Sequence, residues 1–179
     1  MELLIGEPLA LDLLNTRTRD LDVLDTPGDF QTWLARQAGR LTAPGGPLTP
    51  GGLAAVRRLR AHVATALDAV REGAPPPAAA LAAINEAARA APAYQVLEWR
   101  DGGPRLSAAR DGDPLAVLLA QLAEAAAGLL ADPAVTRVRG CEGPGCVLLF
   151  LPAHPRRRWC SPDLCGNRVR VARHYQRHK

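Results

Sequence analysis

Four cysteines constrain this chain more than any other feature. Cys141, Cys146, Cys160 and Cys165 are the only cysteines among 179 residues, and all lie near the C-terminal end. They read Cys-x4-Cys, an intervening loop of 13 residues, then Cys-x4-Cys. Zinc takes four tetrahedral ligands, and thiolates at about 2.3 Å suit it well. Two close pairs joined by a longer loop converge on one point with little chain strain. Two disulfides, or four unliganded buried thiols, are the competing readings. The segment is only about 45 residues long, near the size at which a fold needs a staple. In a reducing compartment that staple is a metal. A complete thiolate set leaves no position for water, so the expected ion is a single structural Zn2+. His154, His174 and His178 are then surface residues rather than substitute ligands.

The residues around the cysteines support this. Gly143-Pro144-Gly145 supplies a tight turn that aims backbone amides at sulfur. Thr136–Arg139 and Val147–Leu151 read as two short strands. Ser161 is a good helix N-cap, Pro162 suits the first helical position and Asp163 the positive end of the dipole. Cys165 then falls in the first helical turn, where thiolate is favoured. Knuckle, hairpin and ligand-bearing helix predict a treble-clef-like or ribbon-like finger.

Charge is divided unevenly. From Arg137 to Lys179 there are ten basic and two acidic side chains, a surplus of +8, whereas residues 1–136 carry −4. An acidic body with a basic end is the electrostatic footprint of a module facing a polyanion. On a helix after Cys165, Leu164, Val171, Ala172 and Tyr175 form an apolar stripe, and Arg170, Arg173, His174 and Arg177 gather on another face. Arg156, Arg157 and Arg158 precede Cys160. A zinc ion with four thiolates carries a formal charge of −2, so some arginines would serve only to neutralise it or to bond sulfur. Arg168, beside the ligand turn, is the first choice for that role. The surplus exceeds that need, which makes Arg156, Arg157, Arg158, Arg168, Arg170, Arg173 and Arg177 the candidate nucleic-acid contacts.

The body reads as mostly helical. Aromatics are 4% of the chain, so its core must rest on Leu, Val and Ala. A short Leu-rich helix follows Pro8 and ends near Asn15-Thr16. Thr26-Pro27-Gly28-Asp29 offers cap chemistry before Phe30, Trp33, Leu34 and Leu41, which fit helical spacing. Thr49-Pro50 opens a long amphipathic helix through Val70, and a further helix covers 78–91. Tyr94–Arg100 and Arg105–Arg110, joined by Asp101-Gly102-Gly103-Pro104, read as a β-hairpin. Asp113-Pro114 opens a helix to Ala131, and Asp132-Pro133 marks the boundary. The expected fold class is α+β: a mostly helical domain with a small β-hairpin over 1–134, then the zinc finger over 135–179.

Nothing marks an enzyme. There is no nucleophile motif, glycine-rich phosphate loop or convincing carboxylate pair. His62 is a helix-surface residue among arginines, and Asp12 and Asn15 suit cap or turn roles better than a pocket. The start lacks a basic, apolar leader, and Leu115–Leu130, with Gln121 and Glu124, reads as a buried helix rather than a membrane span. A cytoplasmic protein is expected.

Arg158-Trp159-Cys160-Ser161, with Cys165-Gly166-Asn167-Arg168 after it, resembles the CGNR zinc finger, and the x4 spacing of both pairs is similar. Gly6-Glu7-Pro8-Leu9-Ala10-Leu11-Asp12-Leu13-Leu14-Asn15-Thr16 resembles the opening of the ABATE domain that precedes this finger in bacterial stress-response regulators. The resemblance implies zinc ligation by the four cysteines, DNA binding by the finger, and sensing of a small molecule or stress signal by the N-terminal domain. Physically, Gly166 would allow close approach to the metal knuckle and Asn167 would cap the helix or bond sulfur. Phe150–Pro155 lacks an acidic residue expected there in relatives, which leaves open what orients a nearby arginine. Two rival functions stand beside the regulator: a thiol redox sensor that ejects zinc, and a protein-interaction module. A homodimer would suit paired half-sites, although no heptad seam supports one.

Overall fold

The computed structural model describes residues 4–171. Three of the helices begin where a local cap is written. Thr26 Oγ1 accepts the Asp29 N–H and opens α2 (Pro27–Arg36). Thr49 does the same through Gly52 for α3 (Pro50–Arg71). Asp113 accepts from Leu115 and Ala116 at the start of α5 (Pro114–Ala131). All three carry proline at the head of the helix, where its missing N–H costs nothing. α1 (Leu9–Leu14) and α4 (Ala78–Arg89) follow prolines without a side-chain cap.

α1 lies at the centre, its Ala10, Leu11 and Leu13 fully buried, and it contacts α3 and α5. α5 also packs on α3 and α4. By length and composition α5 is apolar enough to cross a membrane, but here its Leu118, Leu122, Ala123 and Ala126 face other helices. Phe30 and Trp33 of α2 stack at 5.4 Å and close one end of the core.

Leu41 departs from the expectation. α2 stops at Arg36, because the Gln37 side chain turns inward to meet Asp12 instead of continuing the helix. Leu41 reaches the core from the following loop.

The hairpin pairs β1 (Tyr94–Arg100) with β2 (Gly103–Ala109), and its turn is tighter than expected. Only Asp101 and Gly102 form it, at φ 51° and 75°, and Gly103 and Pro104 already pair with Arg100 and Trp99. An Asp-Gly pair suits this two-residue turn because both positions need positive φ. Leu97 and Leu106 sit opposite each other, 71% and 66% exposed, beside Trp99 at 75%. The hairpin therefore turns an apolar face to solvent.

The expected strand at 136–139 is also shorter. Asp132 accepts the Ala134 N–H and sets Pro133–Arg137 as a 3-10 turn, leaving only β3 (Arg139–Gly140) to pair with β4 (Leu149–Phe150).

Candidate metal centre

β3 leads into the knuckle and β4 leaves it. Cys141 and Cys146 stand at its two ends, with the Cys146 N–H bonded to the Gly143 carbonyl at 3.0 Å. The second pair straddles a helix start. Ser161 Oγ accepts the Leu164 N–H at 2.8 Å, Pro162–Gly166 forms a wide π-type turn, and residues 167–171 continue as α-helix. A knuckle on a short hairpin followed by a helix-borne pair is the treble-clef order.

The four sulfurs lie within 4.8 Å of one another. Backbone amides of Gly143 and Cys160 donate to Cys141 Sγ at 3.4 and 3.2 Å, and Arg168 donates to Cys165 Sγ at 3.2 Å. A Cβ on Gly143 would come within 2.9 Å of Cys165 Sγ, so only glycine allows the knuckle to close on the second pair. Gly166 does not play that part; its surroundings are the Ser161 carbonyl and Arg170. Asn167 does not bond sulfur either, and its side-chain oxygen accepts from Arg170.

As free thiols these groups oppose one another. Burial pushes Cys146 up to about 11, helped by the neighbouring sulfurs of Cys165 and Cys141. Burial, then the charges and hydrogen bonds of its neighbours, raises Cys160 further. Burial acts on Cys141 too, but the Cys160 and Gly143 amides outweigh it and hold that thiol below its ordinary value. A divalent cation reverses this balance, since it favours thiolate at every position. The donor set and its packing fit one structural Zn2+, which would supply cross-linking and no chemistry.

The arginines divide by surroundings. Arg157 is half-buried over the Phe150 ring, 4.3 Å from its centroid, and donates to the Trp159 and Cys160 carbonyls. Arg158 pairs with Glu142 at 2.5 Å and lies over Trp159. Arg168 is on sulfur. Arg156 and Arg170 are exposed. Arg173 and Arg177, with Tyr175, His174 and His178, lie outside the described residues.

The part that sequence reasoning missed is the seam between finger and body. Glu7, only 7% exposed, accepts the Leu151 N–H at 2.9 Å through one oxygen and Arg157 at 2.6 Å through the other. The acid absent from Phe150–Pro155 is thus matched by one from the body. Asn15 makes a two-way amide pair with Leu149, donating to its carbonyl at 2.9 Å and accepting its N–H at 2.8 Å. Leu4 packs with Leu148, Phe150, Cys160 and Cys165.

Asp12 holds this seam in place from below. Fully buried, it accepts the Gly6 and Glu7 amides at 3.1 Å each, together with Gln37 and Arg40. Thr16 accepts from Arg60, which forks onto both oxygens of Asp22. Glu7, Asp12, Asn15 and Thr16 share one short sequence motif, and that clustering of polar residues around a buried helix was the available signal.

No curated protein shows significant similarity to the chain. A family model described as "CGNR zinc finger" matches residues 137–178. The model named ABATE, "Putative stress-induced transcription regulator", matches residues 7–133 and so takes in every body residue of the seam except Leu4. The chain belongs to the ABATE family and carries a CGNR zinc finger behind that domain.

Proposed function

We propose that this protein is a bacterial transcription regulator that holds DNA through its zinc finger and basic C-terminal helix, while the body over 1–134 responds to a small molecule or stress signal. The observation that carries the reading is the charge division. A surplus of +8 sits in the finger and its tail, and the described part leaves Arg156 and Arg170 exposed beside the helix start. Arg173 and Arg177 extend the same basic series. Arg157 and Arg168 serve the finger itself, so the phosphate contacts fall to the exposed set, with Arg158 at its margin. The reading places the protein in the cytoplasm, assigns no catalytic role, and divides the chain at 134/135.

The test is DNA binding by the zinc-loaded chain across salt, with and without chelator. Phosphate contact requires affinity to fall steeply with salt. Binding that is insensitive to salt, or that survives zinc removal, ends the reading.

A second reading rests on the half-exposed positions of Cys141 and Cys146. An oxidant can reach them, and their oxidation would release zinc and loosen the finger. Peroxide titration with a zinc-release dye tests it, and zinc retention at low peroxide excludes it. A finger that carries zinc but has no DNA affinity would point instead to a protein-binding module.

A further inference from the structure

A cavity of about 830 Å³ opens where α3 and the loop after α1 meet the finger. Its walls combine two kinds of surface. Leu14 and the small faces of α3 are apolar, and Val147 and Leu149 of the finger complete that side. The other side is a cluster of arginines, Arg17, Arg19, Arg57 and Arg60, with Asp22, Asp25 and Asp68 among them.

The acids do not use up the bases. Arg60 and Asp22 are matched by a two-pronged ion pair, and Asp68 is held by Arg71. Asp25 reaches Arg57 only at 3.6 Å. Arg17 and Arg19 form no ion pair among the described residues. The Arg57 side chain donates through Nη2 to the Leu24 carbonyl, and its buried Nε–H has no acceptor among the described residues. Buried donors are nearly always satisfied, and one left over in a cavity wall leaves that wall short of an acceptor. Arg19 lies against the metal knuckle. A Cβ on Gly145 would stand 2.7 Å from its Nη1.

We infer that this cavity binds a small organic acid with an apolar body, its carboxylate or phosphate head held by Arg17 and Arg19 and its apolar part against Leu14, Val147 and Leu149. Guanidinium groups match both head groups with paired N–H donors. A cavity of this size can hold a drug-sized ligand, and this one sets an apolar wall opposite convergent guanidinium groups. The finger contributes a wall, and the Asn15–Leu149 pair lies next to that wall, so an occupant touches the body, the knuckle and the seam together. The inference names the ligand class for the sensing half of the proposed regulator. It rests on that reading only for the regulatory consequence, because binding needs no DNA.

The experiment uses the full-length, zinc-loaded chain titrated calorimetrically with naphthoate, naphthyl phosphate and inorganic phosphate. At least one naphthyl anion should bind saturably, at least tenfold tighter than inorganic phosphate. The tighter of the two identifies the head group. The exposed double variant Arg17→Ala/Arg19→Ala should keep its zinc and melting temperature and bind that anion at least tenfold more weakly, while Arg105→Ala on the hairpin changes nothing. The absence of saturable binding, or binding indifferent to the double variant, overturns the inference. Inorganic phosphate binding within tenfold of the tighter naphthyl anion also overturns it. DNA affinity measured on the same variants separates the two readings. If the double variant loses DNA binding and no naphthyl anion binds, the arginines are phosphate-backbone contacts and the acid site does not exist. If an anion binds as described and DNA does not bind at all, the site stands and the regulator reading falls.

Discussion

In the body, one apolar cluster runs from Ala10 on α1 through α3 to Leu129 on α5, and Val135 and Val138 from the start of the finger segment join its edge. In the finger, the buried cluster is Leu148, Phe150, Cys160 and Cys165, and it needs Leu4 from the far end of the chain to be complete. The first is stabilised by area removed from water, at about 25 cal/mol per Å². The second has too little such area and depends on cross-links: metal through four sulfurs, and a polar seam through Glu7 and Asn15. Two parts of one chain thus sit on different stability scales. A perturbation aimed at either scale should leave the other nearly untouched.

Removing a thiolate should have the largest effect. Cys165→Ser should abolish stoichiometric zinc binding and melt the finger, because structural zinc sites contribute on the order of 10 kcal/mol to small domains. Far-UV circular dichroism should retain the helical signal and melting midpoint of the body. A variant whose helices melt along with the finger would show that the two halves are one cooperative unit.

Asp12→Ala comes next. It strips an acceptor from the Gly6 and Glu7 amides and leaves Arg40 without its carboxylate, at about 3–5 kcal/mol. This one change should lower both halves, seen as a reduced denaturation midpoint together with faster amide exchange at Leu151. Loss confined to the body would mean that the seam is positioned by something other than Asp12.

Asn15→Ala and Glu7→Gln act on the seam alone. Each should leave the body's midpoint in place and loosen the finger by about 1–3 kcal/mol, since each leaves a half-buried partner unsatisfied. Exchange at the Leu149 amide reads the first and at Leu151 the second. A Glu7/Arg157 double-mutant cycle should show coupling, because the pair is in direct contact.

The smallest effect concerns acid. Burial works against the Asp22 carboxylate, but Arg60 and the Leu24 amide hold its folded pKa below the ordinary carboxylate value. Its contribution is therefore complete above the unfolded pKa near 4 and is lost as pH falls through the lower folded value. Asp22→Asn should flatten that part of the acid-denaturation curve without changing zinc content. An unchanged acid limb would assign the loss to other carboxylates.

What was legible in the sequence follows the same divide. Thr26, Thr49, Asp113 and Ser161 cap helices through groups two or three residues away, so their roles could be read locally. The cysteine cluster was legible because four identical ligands at fixed spacing have few other uses. The seam was not. Asn15 and Leu149 are 134 residues apart, and Glu7 and Leu151 are 144 apart. Nothing near either partner requires the other. Gly166 was misassigned for a related reason: proximity in sequence to Cys165 suggested the metal, whereas the close approach belongs to Gly143 from the other pair; Asn167, read as a cap or a sulfur partner, caps the π-type turn and leaves sulfur to others. At Pro133–Arg137 a cap from Asp132 won over strand propensity.

The placement of α1 carries a consequence for how the molecule is made. On a ribosome the N-terminal residues emerge first. Yet α1 packs against α5, and Glu7 waits for Arg157. α1 is therefore made well before the α5 surface that covers it, and Glu7 before Arg157, whereas Asp12 meets Gly6, Glu7, Gln37 and Arg40 close by in the chain. Zinc capture and seam closure then fall together, once Arg157 and the second cysteine pair have been made. A chain interrupted before α5 leaves the apolar face of α1 uncovered, and one interrupted before Arg157 leaves the Glu7 carboxylate unmet, so each stage of synthesis exposes a different unfinished surface.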